Sequence, residues 1–183
     1  MPESQAQPSI DLQPTLEGEK LLVRPLRADD FDALYAAASD PLIWEQHPSP
    51  LRYQRAVFEK EFFNGALASG SAFVVIDKAT GEIIGSSRYY DWEPLKREIA
   101  IGFTFLARSH WGDGSNRELK RLMLEHAFRS ADVVWFHIGR TNWRSRKAVE
   151  KIGAVFSHES TQELNGVVRE YAFYLIRPDM QRC

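Results

Sequence analysis

Two short stretches of this 183-residue chain combine residue types that could do chemistry. In the first, Trp111-Gly112-Asp113-Gly114-Ser115-Asn116 runs straight into a segment where Leu119, Leu122, Met123 and Ala127 share the i, i+3, i+4, i+8 spacing of one helix face. The glycines therefore feed a helix N-terminus. Unpaired N–H groups and the positive end of the helix dipole gather there, and a bare backbone can approach a ligand closely, so the stretch reads as a phosphate cradle. The second stretch opens at Asn142, a good helix cap, carries Ser145 three positions on and stops at Gly153. Cations crowd both helix starts: Arg108, Arg117, Lys120 and Arg121 at the first, Arg140, Arg144, Arg146 and Lys147 at the second. Taken singly, most of these are ordinary solvated helix charges; their clustering is the signal in a chain of net charge −2.

Two familiar phosphate loops are excluded. No Gly-Lys-Ser/Thr follows the glycines, so the lysine and magnesium-binding hydroxyl of a nucleoside-triphosphate loop are missing. There is no G-x-G-x-x-G, and the strand after the helix lacks the acidic ribose contact of a dinucleotide site. The ligand should carry phosphates without having to be a nucleoside triphosphate.

The elements that must position these residues follow from periodicity. Ile99, Ile101, Phe103 and Phe105 alternate with Ala100, Gly102 and Thr104, which predicts a strand over Arg97–Leu106 with one strongly apolar face. Upstream, Lys20–Arg27 reads as a strand limited by Pro25, Ala28–Ala38 as a helix with acidic residues in its first turn, and Arg52–Ala68 as a second helix closed by Gly70. Ser71–Asp77 and Glu82–Tyr90 flank a glycine-containing turn and form a meander with the cradle strand. Downstream, Val133–Ile138 is a continuous apolar strand expected beside the cradle strand. Ala154–His158 and Val167–Ile176 make a last hairpin across Asn165-Gly166. Between the first two helices, Ile43–Pro48 is irregular and carries Trp44 and His47, which either line an acceptor pocket or leave Trp44 covering the core edge and His47 solvated.

Length and a hydrophobic fraction of 44% suit one domain, residues 20–183, after a flexible leader at 1–19 rich in Pro, Gln and Ser. The small net charge gives no reason to expect nucleic-acid or membrane partners. Cys183 is the only cysteine, which excludes an internal disulfide, and no apolar run of spanning length or signal-like start is present, so a soluble cytoplasmic protein is expected.

From Lys20 to Ile176 the order of elements, the glycine loop and the Asn-x-x-Ser helix together resemble the GNAT superfamily of acetyl-CoA-dependent N-acetyltransferases, in its RimJ/RimL-like branch. The family's Q/R-x-x-G-x-G/A loop becomes Trp111–Asn116, with Asn116 in place of the last small residue, and Asn142, Ser145 and Gly153 match its second signature. The resemblance implies an α+β GNAT fold: a mixed, mostly antiparallel central sheet of about six to seven strands, splayed between the cradle strand and the next, flanked by about four helices. It implies acetyl-CoA as cosubstrate and no metal. The pantetheine arm would run along Phe103, Thr104, Phe105 and Leu106. The pyrophosphate would sit on Trp111, Gly112, Asp113, Gly114, Ser115 and Asn116, with Arg108 and Arg146 as cations and Asn142 and Ser145 approaching from the other side. Many relatives hold a catalytic glutamate at the position of Ala100, and Glu98, on the same strand face, is the corresponding candidate base. The thiolate acid of many relatives, a tyrosine, aligns with Val149, which leaves Ser145 for that role. Trp44, His47, Tyr90 and Trp92 are the acceptor-binding candidates. The acceptor would be a protein N-terminal α-amine, with a metabolite or antibiotic amine, or a non-catalytic acyl-CoA-binding module, as alternatives. A monomer or homodimer is expected.

Overall fold

Apolar runs rich in β-branched and aromatic residues build one eight-stranded sheet in a computed structural model that describes residues 8–164 and 167–181. In chain order the strands are β1 (Leu16–Glu17), β2 (Leu21–Pro25), β3 (Ala72–Asp77), β4 (Ile83–Glu93), β5 (Glu98–Leu106), β6 (Val133–Gly139), β7 (Val155–Leu164) and β8 (Val167–Ile176). They lie in the order β1-β2-β3-β4-β5-β6-β8-β7, and only the β5–β6 pair is parallel. The helices are α1 (Phe31–Ala38), a rod in which α2 (Arg55–Phe58) passes through a π turn at Glu59–Phe63 into α3 (Asn64–Ser69), α4 (Ser115–Ala127) and α5 (Trp143–Lys151).

Both sheet faces are covered. Leu119 and Met123 of α4 and Val149 of α5 pack on Ile99, Ile101 and Tyr174, while Leu34 of α1 and the rod residues Phe58 and Phe62 pack with Trp44 and Phe105 on the opposite face. Local chemistry sets the helix ends. Asp30 takes both Arg24 guanidinium nitrogens at 2.8 Å and the Arg27 N–H at 2.8 Å, tying β2 to the start of α1. Gly70, at φ 63°, closes α3 in the left-handed region, and Gly153, at φ 103°, follows α5 in the same way.

Strict alternation in the cradle strand does not survive. Ser86 faces Phe105 and Arg88 faces Gly102, so Phe103 and Thr104 together oppose Ser87 alone. This bulge holds Phe103 at φ 51°, a conformation that a bulky side chain rarely takes. One extra residue reverses the phase, so Ile99 and Ile101 join the α4–α5 face and Phe105 joins the other. The expected splay is present. β5 pairs with β6 only from Glu98 to Ala100, after which β5 stays with β4 and β6 continues along β8 to Gly139.

The eighth strand comes from the stretch expected as a leader. Leu16 and Glu17 pair with Val23 and Leu22, Ile10, Leu12 and Leu16 pack on the α4–α5 cluster, and His126 Nε2 donates to the Asp11 carbonyl at 2.7 Å. Residues 8–19 are thus held by long-range contacts that local periodicity does not register; residues 1–7, Asn165-Gly166 and Arg182-Cys183 lie outside the described residues. Among those described, no helix is long and apolar enough to cross a membrane. Replacing Ile10 and Leu12 together by serine should lower the unfolding free energy by about 1–3 kcal/mol in urea titrations, whereas a loose leader would leave the midpoint unchanged.

Candidate active site

Where β5 and β6 part, a cavity of about 140 Å³ opens between Ile101–Thr104 on one side and Phe136–Gly139 on the other. Trp44, His47, Arg52 and Phe62 line it from the α1–α3 side of the sheet; Asn116, Lys120, Ser145 and Val149 line it from the helices of the other face. Beyond Ala100 the β5 backbone has no strand partner toward β6, leaving peptide donors and acceptors able to pair with an amide-bearing arm.

The glycine loop stands at the head of α4. Gly112 and Gly114 have φ of 77° and 92°, and nothing lies within 4 Å of where a Cβ would stand on either. That open, left-handed backbone fits a bulky anion. Asp113 Oδ1 accepts the Ser115 N–H at 2.8 Å and so takes one donor of the helix start, while the N–H groups of Asn116 and Arg117 fall in the first turn, where no intrahelical acceptor exists. Lys20 Nζ donates to the Asp113 carbonyl at 2.9 Å and brings a cation that sequence spacing had not linked to the loop. Trp111 donates its indole N–H to the Leu106 carbonyl at 3.0 Å and carries the Arg144 guanidinium 4.2 Å above its ring, joining the loop to the start of α5.

The other expected phosphate cations are already engaged. Arg108 pairs with Asp40 in an exposed, exchangeable contact. Arg146 is largely buried, donates to the Tyr174 hydroxyl at 2.9 Å and the Arg140 carbonyl at 2.8 Å, and so fastens α5 to β8. Asn142 caps α5 by accepting the Ser145 N–H at 3.2 Å, and Asn142 and Ser145 both line the cleft.

The predicted catalytic and acceptor residues divide. Glu98 lies where β5 and β6 are still paired, its carboxylate taking the Trp135 indole N–H at 3.0 Å, and it does not line the cleft. Trp92 packs on the α4–α5 cluster and also stands outside. The Phe105 ring is buried 5.2 Å from Trp44, and Leu106 belongs to the opposite cluster, so these two offer backbone only. Trp44, 3% exposed with its indole N–H on the Ala38 carbonyl, is both core and cleft wall. Tyr90 stands behind the wall, edge-on to Phe103 and His137 at 5.4 Å each. His47 accepts the Ser49 N–H on Nδ1 at 2.9 Å, which leaves the ring proton on Nε2. Burial first, then Arg52 and Arg169, hold that imidazole down at about 3, so it is a neutral donor at any ordinary pH.

No carboxylate lines the cleft among the described residues; Lys120 and His137 do. Lys120 is 5% exposed and donates to Thr104 Oγ1 at 2.7 Å, with Thr104 in turn 2.9 Å from the Ser87 hydroxyl. Burial without a counterion pulls its amine to about 7, and burial lowers His137 as well. Periodicity held a signal for Lys120, which stands three, four and seven residues before the buried Met123, Leu124 and Ala127. Nothing comparable marks Arg52, which precedes its helix in an irregular turn.

Comparison with known proteins fits this geometry. Residues 20–155 match the model of a family described as an acetyltransferase (GNAT) domain. The uncharacterised N-acetyltransferase p20 of Bacillus licheniformis is 28% identical over 123 residues, 65% of this chain and 68% of that protein. The fold is shared with a GCN5-related N-acetyltransferase from Brucella melitensis, at TM-score 0.80 and 23% identity over 96% of this chain and 84% of that one. It is shared too with spermidine N-acetyltransferase from Vibrio cholerae in complex with CoA and spermine, at TM-score 0.67 and 19% identity over 89% and 98%.

Two outcomes follow for the cleft. Glu98→Gln should leave turnover within about threefold of wild type, since the carboxylate is bound to Trp135 away from the gap; a hundredfold loss of kcat would restore it as the base. For Lys120 the folded amine titrates near 7 and the unfolded one near 10.5, so the full penalty of a buried charge is present below pH 7 and fades as pH rises to 10.5. Wild-type stability should therefore climb across that window by a few kcal/mol, at ~1.4 kcal/mol per pKa unit, and urea unfolding of Lys120→Met should show no such climb.

Proposed function

The chain belongs to the GNAT acetyltransferase family, and on that premise we propose that it transfers acetyl from acetyl-CoA directly to a primary amine, the α-amine of a protein N-terminus. The observation that carries the reading is the free edge of β5 leading from the glycine loop into the gap. A pantetheine arm, with two amides, is the part of coenzyme A that such an edge can pair with, and its phosphates are the part that Gly112, Gly114, the start of α4 and Lys20 suit. Arg108 is free to leave its exposed pair with Asp40 and add a second cation. The N-terminal acceptor rests on the RimJ/RimL-like form of the Trp111–Asn116 loop.

Direct transfer asks for a neutral amine at the thioester carbonyl, polarisation of that carbonyl and protonation of the departing sulfur. Backbone N–H groups on the open β5 edge are the donors available for the carbonyl. Ser145, in the first turn of α5 and on the cleft wall, is the hydroxyl for the thiolate. The attacking amine arrives neutral or gives its proton to Lys120 or His137, the neutral bases of the cleft.

CoA release from acetyl-CoA, followed with a thiol reagent, should require an amine and should proceed with short peptides bearing a free N-terminus. Release with free metabolite amines alone overturns the N-terminal acceptor. A rise in melting temperature with acetyl-CoA, without release by any amine, overturns transfer itself.

A further inference from the structure

We infer that the acceptor carries a carboxylate close to its amine, and that Arg52 receives it on the α1–α3 side of the cleft. The inference rests on the acetyl transfer proposed above and not on its N-terminal acceptor, which the free-amino-acid source below would replace.

Arg52 lines the cavity with its side chain only 9% exposed, lying 5.7 Å from the Trp44 ring and 5.6 Å from the Phe62 ring. Arg88, 8% exposed, is its neighbour: its guanidinium sits 3.9 Å over Phe103 and 6.0 Å from the same Phe62 ring. Aromatic faces satisfy the faces of these two cations and not their edges. The Nε of each is buried without a hydrogen-bond partner. Arg52 has one long hydrogen bond, 3.4 Å to the Glu61 carbonyl, and a carboxylate no closer than 4.0 Å on Glu61, which is itself half exposed. Among the described residues Arg88 has no carboxylate partner within salt-bridge distance.

A guanidinium buried among aromatics and short of a counterion is costly, and a second one beside it makes the cost larger. Burial first and Arg52 second hold the Arg88 guanidinium down at about 10, and Arg169, bonded to Ser49 at 3.0 Å, adds a third positive field on Arg52. The remaining polar side chains here are His47, which presents Nε2–H, again a donor, and Tyr171, whose hydroxyl can donate as well as accept. A wall dominated by donors and positive charge is matched by a group that only accepts, and a carboxylate meets a guanidinium edge with two parallel hydrogen bonds. Coenzyme A does not supply that group, because the cradle for its phosphates is on the α4 side of the sheet. The same field opposes an acceptor with additional positive charges, such as a polyamine.

Two sources share this chemistry: the α-carboxylate of a free amino acid and the side-chain carboxylate of an acidic N-terminal residue. Matched pairs separate them by kcat/KM for CoA release: alanine against alaninamide for the first, C-terminally amidated peptides beginning with Glu against the same peptides beginning with Gln for the second. Preference for the anionic member by about tenfold or more in one pair is expected, and the pair that shows it names the source. Arg52→Gln should bring that ratio toward one, and Arg52→Lys should retain part of it. A melting-temperature rise with acetyl-CoA in both variants confirms that they fold. Equal or better use of the neutral member in both pairs, or an unchanged ratio in Arg52→Gln, overturns the inference alone. No release with any amine overturns the transferase reading beneath it.

Discussion

Three residues of parallel pairing hold β5 to β6, and everything at the site depends on that pairing ending at Ala100. Past this point each strand keeps its other neighbour, β5 its ladder with β4 and β6 its ladder with β8, so the sheet divides without losing its outer hydrogen bonds. The bulge at Phe103 contributes by bending β5 and turning Phe105 away from the face that Ile101 occupies. Separate apolar clusters then cover the two faces and keep the halves in place. An unpaired strand edge inside a folded protein calls for a partner with peptide-like donors and acceptors, which links the architecture directly to an amide-bearing cosubstrate.

The charges around the gap are as unusual as its backbone. Lys120, Arg52 and Arg88 are all buried, and the carboxylates that would ordinarily accompany them lie elsewhere: Glu98 on Trp135, Asp113 on the Ser115 N–H, Glu61 at the limit of an ion pair. Desolvation lowers Lys120 far enough for the neutral amine to be abundant near neutrality, whereas a guanidinium stays charged under the same burial. One end of the cleft thus offers a base and the other a fixed positive field. This division follows from side-chain chemistry, since ammonium and guanidinium respond differently to the same loss of water.

Much of the frame was legible because its causes are local. A glycine loop entering a helix, Asn142 capping the helix that ends at Gly153, the β3–β4 hairpin and the apolar period of α4 all depend on contacts within a few residues, and the structure carries each where spacing put it. The splay between the cradle strand and its neighbour followed from the family resemblance and is present. Lys120 was half legible: its position on the buried stripe of α4 could be read, but not the absence of a carboxylate facing it.

Sequence alone therefore determined most of the elements, their order, the glycine loop at the start of α4 and the family resemblance, because period, cap and glycine conformation are properties of a turn or less of chain. Tertiary structure decided which side chains meet. A single extra residue at Phe103 reversed the phase of the cradle strand, the end of the β5–β6 pairing left Glu98 outside the gap, and packing across the sheet brought Arg52 beside Arg88, Lys20 to the glycine loop and residues 8–19 onto the core. Strand register and long-range packing fix these contacts, and both depend on partners far along the chain that local spacing does not encode.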